Sequence, residues 1–173
     1  MTAPWKTAAL DAIVVMGVAG CGKSLIAQEL ADALSSDFIE ADTFHSLENA
    51  AIMRAGRGLT DEQRWPWLRA VCQAARESCS RPPVIACSAL KRHYRDFMRS
   101  ELGNITFVHL DGSEDLIERR IAARTDHFAT QSLLESQFRT LEPLHADERG
   151  CRISIECSPA GILHEILVHL GTG

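Results

Sequence analysis

Eight residues, Gly17-Val18-Ala19-Gly20-Cys21-Gly22-Lys23-Ser24, constrain this chain more than any other stretch. They satisfy the spacing G-x-x-x-x-G-K-[ST] in full. The apolar run Ala12-Ile13-Val14-Val15-Met16 precedes them and reads as a fully buried strand. Behind them Leu25, Ile26, Leu30 and Leu34 recur at helical spacing, so Ser24 to Leu34 reads as a helix. Strand, glycine turn and helix in that order build a phosphate cradle. The glycines let successive backbone N–H groups point inward at phosphate oxygens without Cβ clashes. The helix N-terminus adds its partial positive charge. Lys23 supplies a point charge at the β- and γ-phosphates, and the Ser24 hydroxyl can ligate Mg²⁺. All eight residues, Gly17 to Ser24, are therefore expected to bind ATP.

The rest of the chain repeats the alternation. Further strands are expected at 38–41, 84–87, 105–110 and 152–157. Helices are expected at 45–55, 90–102, 113–123, 130–141 and 159–170. Thr60 and Gln63 have capping-box spacing, but Pro66 suits a first turn better than a helix interior, so the helix running to about Ser80 is expected to start at Pro66. Five strands alternating with helices predict an α/β domain with helices on both faces of a parallel sheet. The 173 residues fit one domain. The net charge is −5 with neutral histidines, and Lys and Arg are scattered, which argues against a nucleic-acid partner. The six cysteines show neither a CxxC pair nor zinc spacing, as expected of reduced thiols in a cytoplasmic protein. No apolar run approaches a membrane span, and residues 1–10 lack the apolar core of a secretory signal.

Phosphate binding alone does not separate a kinase from a GTPase or an ATPase. The chain has no guanine-reading N-K-x-D sequence. The expected strand Val84-Ile85-Ala86-Cys87 runs into Ser88-Ala89 with no metal-holding acid. The small size of the chain and the missing acid favour a small-molecule kinase. Phe38-Ile39-Glu40-Ala41-Asp42 places two acids two residues apart, which on an extended segment puts both on one face. At a strand's carboxyl end they would overlook the ligand crevice. Glu40 is expected to serve the metal, and Asp42 to orient and deprotonate the attacking hydroxyl.

These residues, together with others along the chain, resemble the gluconokinases, relatives of shikimate kinase among the P-loop small-molecule kinases. The resemblance runs from about Ile13 to Pro143. It rests on the phosphate loop, Asp42 with His45 and Asn49, and Met53, Gly56, Leu59, Asp61 and Arg64. It continues through Pro66-Trp67-Leu68, Cys87-Ser88-Ala89-Leu90-Lys91 and Tyr94-Arg95-Asp96. Arg120 and Arg124 with His127-Phe128, and Ser136-Gln137-Phe138 with Leu141-Glu142-Pro143, complete it. It implies phosphate transfer from ATP to the 6-hydroxyl of D-gluconate. It also implies a three-layer P-loop NTPase fold with strand order 2-3-1-4-5, an acceptor-binding helical segment at about 43–80, a lid at about 120–140, and a homodimer.

A sugar acid needs cations and hydrogen-bond donors around it. His45, Asn49, Arg64, Lys91 and His127 are the expected acceptor-binding residues, with Arg64 gripping the carboxylate in a fork. Arg120 and Arg124, four apart on a helix, are expected to share a face and neutralise charge in the transition state from the lid. The chain departs from the family pattern at Ser46, Ile52, Gly58, Gln63 and Asp126, four of them in the acceptor segment. A kinase for another sugar acid or a shikimate-like hydroxy acid, or a nucleotide-binding regulator without turnover, stays open on sequence alone.

Overall fold

The computed structural model describes residues 10–123 and 131–172. The chain begins with β1 (Ala12–Met16), whose five residues are all buried. Next come α1 (Lys23–Leu34), β2 (Phe38–Glu40), a 3₁₀ turn (Ala41–Phe44), α2 (Leu47–Arg54) and α3 (Asp61–Glu77). Then follow β3 (Val84–Ala86), α4 (Arg92–Leu102), β4 (Ile105–Asp111) and α5 (Glu114–Ala122). The described chain closes with α6 (Gln131–Thr140), β5 (Gly150–Ser154) and α7 (Pro159–Leu170).

All four strand pairings are parallel, and the order is β2-β3-β1-β4-β5, as the family resemblance implies. Period-2 alternation explains the two-faced core. Ile13 and Val15 of β1 join Ile26, Leu30, Val108, Ile153 and Ile166 under α1 and α7. Val14 and Met16 join Leu68, Val71, Tyr94, Met98 and Phe107 under α3 and α4. Each fully buried aliphatic side chain contributes roughly 1.5–3 kcal/mol. The loops at the carboxyl ends of β1, β2 and β3 therefore open on one crevice, where an open α/β sheet binds its ligand.

Several sequence expectations need correction. The helix expected to begin at Pro66 begins at Asp61, because the Thr60–Gln63 capping box forms in both directions. Pro66 sits inside α3, where it forgoes the hydrogen bond to Glu62. Packing of Trp67, Leu68, Val71 and Cys72 against the sheet outweighs that loss. The helix expected from Leu90 starts at Arg92, and that expected from His45 starts at Leu47 behind the Ser46 N-cap. The last strand lies two to three residues earlier than expected. Its register, Phe107↔Gly150 through Asp111↔Ser154, is set by β4.

Candidate active site

The phosphate loop is anchored by two side chains that turn inward. Val18 and Cys21 are buried in the core beneath α1. Gly17 sits at φ +148, where a Cβ would lie 2.8 Å from Cys21 Sγ and 2.9 Å from the Leu110 carbonyl. Gly22 sits at φ +97, and a Cβ there would meet nothing within 4 Å. Only its backbone conformation demands glycine, and its ligand-facing side stays open. Gly22 is also the N-cap of α1 and offers no side-chain cap, so no cap competes with an anion for the first-turn N–H groups.

Lys23 opens α1 and is buried. Burial opposes its charge, but the Asp42 and Glu40 carboxylates offset this, and its pKa lies above the ordinary lysine value. The ammonium therefore stays charged. Burial pushes the Cys87 thiol up to about 12 and raises that of Cys21 too, so neither is a thiolate near neutral pH.

A cavity of ≈ 470 Å³ lies beside this lysine, and Glu40, Asp42, His45, Arg64 and Ser88 share its wall. Glu40 and Asp42 meet there for a different reason from the one the sequence suggests. The strand stops at Glu40, and Asp42 lies in the 3₁₀ turn, whose amide Glu40 Oε1 accepts at 3.5 Å. His45 stacks on Trp67 with ring centroids 4.3 Å apart and planes 15° from parallel. The Trp67 indole is fixed by its own hydrogen bond to the Ala41 carbonyl at 2.7 Å. His45 Nε2 stands 3.9 Å from Asp42 Oδ1, and its buried Nδ1 has no protein partner among the described residues. Burial lowers the His45 pKa, Asp42 opposes that, and Arg64 adds to it, so the ring is neutral at neutral pH. An orphaned ring nitrogen on a cavity wall suits a ligand hydroxyl.

Arg64 donates from Nε to the Leu59 carbonyl at 3.3 Å, and its guanidinium carbon stands 5.5 Å from the Tyr94 ring centroid. Asp61 holds that tyrosine through its hydroxyl, and also accepts from Lys91 Nζ at 2.8 Å. The Asp61 carboxyl is accordingly held at about 2, first by the Lys91 and then by the Tyr94 hydrogen bond.

Not every expected residue joins the cavity. Lys91 is committed to Asp61 and does not line the wall. Asn49 is buried and donates to the Gln63 carbonyl at 3.0 Å, tying α2 to α3. Arg120 lies on the other side of the phosphate loop, in a ≈ 260 Å³ cavity with Cys21, Gly22, Cys157 and Pro159. Its guanidinium donates to the Ile155 carbonyl. Arg120 lies in the last turn of α5, which ends at Ala122. Arg124 and His127 lie outside the described residues.

Several wall residues were not among the expected site, Arg54, Leu133 and Gln137 among them. Arg54 shares a helical face with Ala50 and Met53, all three on the wall, and that i, i+3, i+4 spacing was the available signal. Leu133 and Gln137 arrive from α6. Gln137 Oε1 accepts the Ala19 N–H at 2.7 Å across 118 residues, and no local pattern announces that contact.

Ser24 begins the first turn of α1, is exposed, and with Glu40 offers hard oxygen donors beside Lys23. Among the described residues no group of three or more His, Cys, Asp and Glu could cage a metal. One hydroxyl and one carboxylate fit Mg²⁺, which keeps several waters and shares phosphate oxygens.

The family model described as "AAA domain" matches residues 13–144. A thermoresistant gluconokinase of Escherichia coli is 42% identical over 137 residues, covering 78% of each chain. A gluconokinase of Arabidopsis thaliana is 39% identical over 172 residues, covering 90% of this chain and 89% of its own. The crystal structure of a gluconokinase from Sinorhizobium meliloti superposes with a TM-score of 0.85 at 42% identity, covering 92% of this chain and 91% of that one.

Proposed function

The chain belongs to the gluconokinase family, and from that premise we propose how its residues divide the transfer of the ATP γ-phosphate to the 6-hydroxyl of D-gluconate. The products are ADP and 6-phospho-D-gluconate. One observation carries the division of labour. A buried, charged lysine at a phosphate loop shares a cavity wall with an exposed carboxylate and a neutral histidine. The cavity's ≈ 470 Å³ falls within the usual size of a small-molecule site.

The N–H groups of Gly17 to Ser24 hold the phosphates, and Lys23 neutralises charge at the β- and γ-positions. Ser24 and Glu40 would hold Mg²⁺, which would supply positive charge to offset that of the phosphates. Asp42 orients the sugar hydroxyl and takes its proton as the new O–P bond forms and the bond to ADP breaks. His45 hydrogen-bonds a sugar hydroxyl as a neutral ring. Arg64 takes the gluconate carboxylate in a fork, its orientation supported by Leu59 and Tyr94. Transfer is then a matter of positioning and charge stabilisation.

The chain works as a single domain, with 43–80 as the acceptor segment and 120–140 as a lid that excludes water. Arg124 and His127 take their expected roles in that lid. The homodimer is inferred from the family resemblance, and the cytoplasmic location from the six unpaired cysteines. No helix among the described residues is long and apolar enough to cross a membrane. The net charge of −5 favours a small-molecule acceptor over a nucleic acid.

The test is coupled ADP release across a panel of sugar acids, with Lys23→Ala and Asp42→Asn beside the wild type. Gluconate-dependent turnover that both variants lose is the expected result. Wild-type rates in both variants, or no sugar acid that stimulates ADP release, would end the proposal.

A further inference from the structure

Gln137 makes a contact that the transfer reaction does not require. Its Oε1 accepts the backbone N–H of Ala19 at 2.7 Å. Ala19 belongs to the phosphate loop and lines the cavity that holds Asp42 and His45. It is thus on the acceptor side of the loop, while Cys21 and Gly22 line the second cavity on the opposite flank. A phosphoryl group passing from nucleotide to sugar acid must sit on the acceptor side. Its oxygens need the same N–H, and one N–H directed at one acceptor serves one partner well.

The side chain reaches the loop because α6 packs against the core beneath it. Leu134 is buried in the same core cluster as Val18 and Cys21. Ser132 Oγ donates to the Gly56 carbonyl at 3.2 Å. Just past the helix end, the Glu142 N–H bonds the Leu90 carbonyl at 2.8 Å. The glutamine is presented to the loop by a helix with a polar contact near each end.

We propose that Gln137 is a positioning residue that makes the loop discriminate a nucleoside triphosphate from a diphosphate. With a diphosphate bound, the Gln137 amide oxygen satisfies Ala19 N–H. With a triphosphate bound, a γ-phosphate oxygen takes that N–H, and the glutamine gives it up. After transfer the phosphoryl leaves with the acceptor and Gln137 reclaims the donor. The Ala19 N–H is then never unpaired, which removes a cost that would otherwise oppose product release. No bond to phosphorus is made or broken by this residue. It acts through the Ala19 amide alone.

The proposal rests on the kinase reading but not on the identity of the acceptor, so its test omits the acceptor. Calorimetric titration with Mg²⁺ compares ADP with the nonhydrolysable imido analogue of ATP. Gln137→Met keeps length and removes the strong acceptor. Gln137→Glu keeps an acceptor and adds negative charge facing the γ-phosphate. A net hydrogen bond of about 1 kcal/mol corresponds to roughly fivefold in affinity. Gln137→Met should therefore tighten the triphosphate analogue about three- to tenfold and leave ADP within twofold of wild type. Gln137→Glu should weaken the analogue about tenfold or more with ADP again little changed. Thermal melts confirm that each variant is folded. A ratio of the two dissociation constants within twofold of wild type in both variants overturns the proposal. So does weaker analogue binding by Gln137→Met. Failure of gluconate to stimulate turnover would leave these binding results untouched, so the two failures are told apart.

Discussion

Asp42 combines exposure with constraint. Its side chain is 61% accessible, yet the 3₁₀ turn fixes its backbone and His45 stands beside it. The general-base role proposed for it depends on geometry before pKa. Asp42→Asn keeps the shape and removes the proton acceptor. It should lower kcat on gluconate about 10²- to 10⁴-fold and leave KM for ATP within about twofold, in steady-state assays. Arg64→Lys keeps the charge and loses the planar fork. It should raise KM for gluconate about tenfold with a smaller change in kcat. At this scale the sequence was informative where one residue type performs one task. Lys23, Asp42, His45 and Arg64 all reach the crevice as expected. It was uninformative where a side chain chooses among distant partners. Lys91 is the right type on the right loop, but Asp61, thirty positions away, claims it.

Among the elements, α3 shows how tertiary packing overrides a local preference. Proline at its sixth position argued for a later start, but a complete capping box and a buried face of Trp67, Leu68 and Val71 decide otherwise. The same first turn carries Asp61, which joins α3 to Lys91, Tyr94 and His93 of the neighbouring segment. Its carboxyl is held at about 2, below the ordinary 3.8. A depressed carboxyl stabilises the fold above its unfolded pKa and loses that contribution as pH falls toward the folded value. Melting temperature should accordingly drop between about pH 4 and pH 2. Asp61→Asn should flatten that acid step and cost about 1–3 kcal/mol near neutral pH, read by denaturant titration. The last strand was less legible than the others. In the last strand Cys151 and Ile153 are buried while Arg152 and Ser154 are exposed, so β4, not the strand's own composition, sets where pairing begins.

For the whole molecule, the parallel sheet with helices on both faces was legible from the alternation of buried runs and amphipathic stretches. The strand order came only with the family resemblance. Neither source disclosed the brace that links the halves of the chain. Arg95 and Glu148 are wholly buried side chains joined in a fork at 2.7 and 2.8 Å. Arg95 also takes the carbonyls of Ala89, Leu90, Glu142 and Pro143. Burial alone would raise the Glu148 pKa, but hydrogen bonds from Arg95, the His145 amide and Arg99 hold it at about 2. Arg95→Met would leave that carboxylate buried without its main partner. It should cost about 3–5 kcal/mol and lower the melting temperature by roughly 10 °C, measured by calorimetry. The order of the strands has a wider consequence. With β1 in the middle, Glu40, Asp42 and Ser88 reach the crevice from the β2 and β3 flank, while Arg120, Cys157 and Pro159 lie on the β4 and β5 flank. A lineage built this way can exchange the acid it consumes by redrawing one shore of the sheet. Among the described residues, only Leu133 and Gln137 of α6 cross over to that shore from the other side.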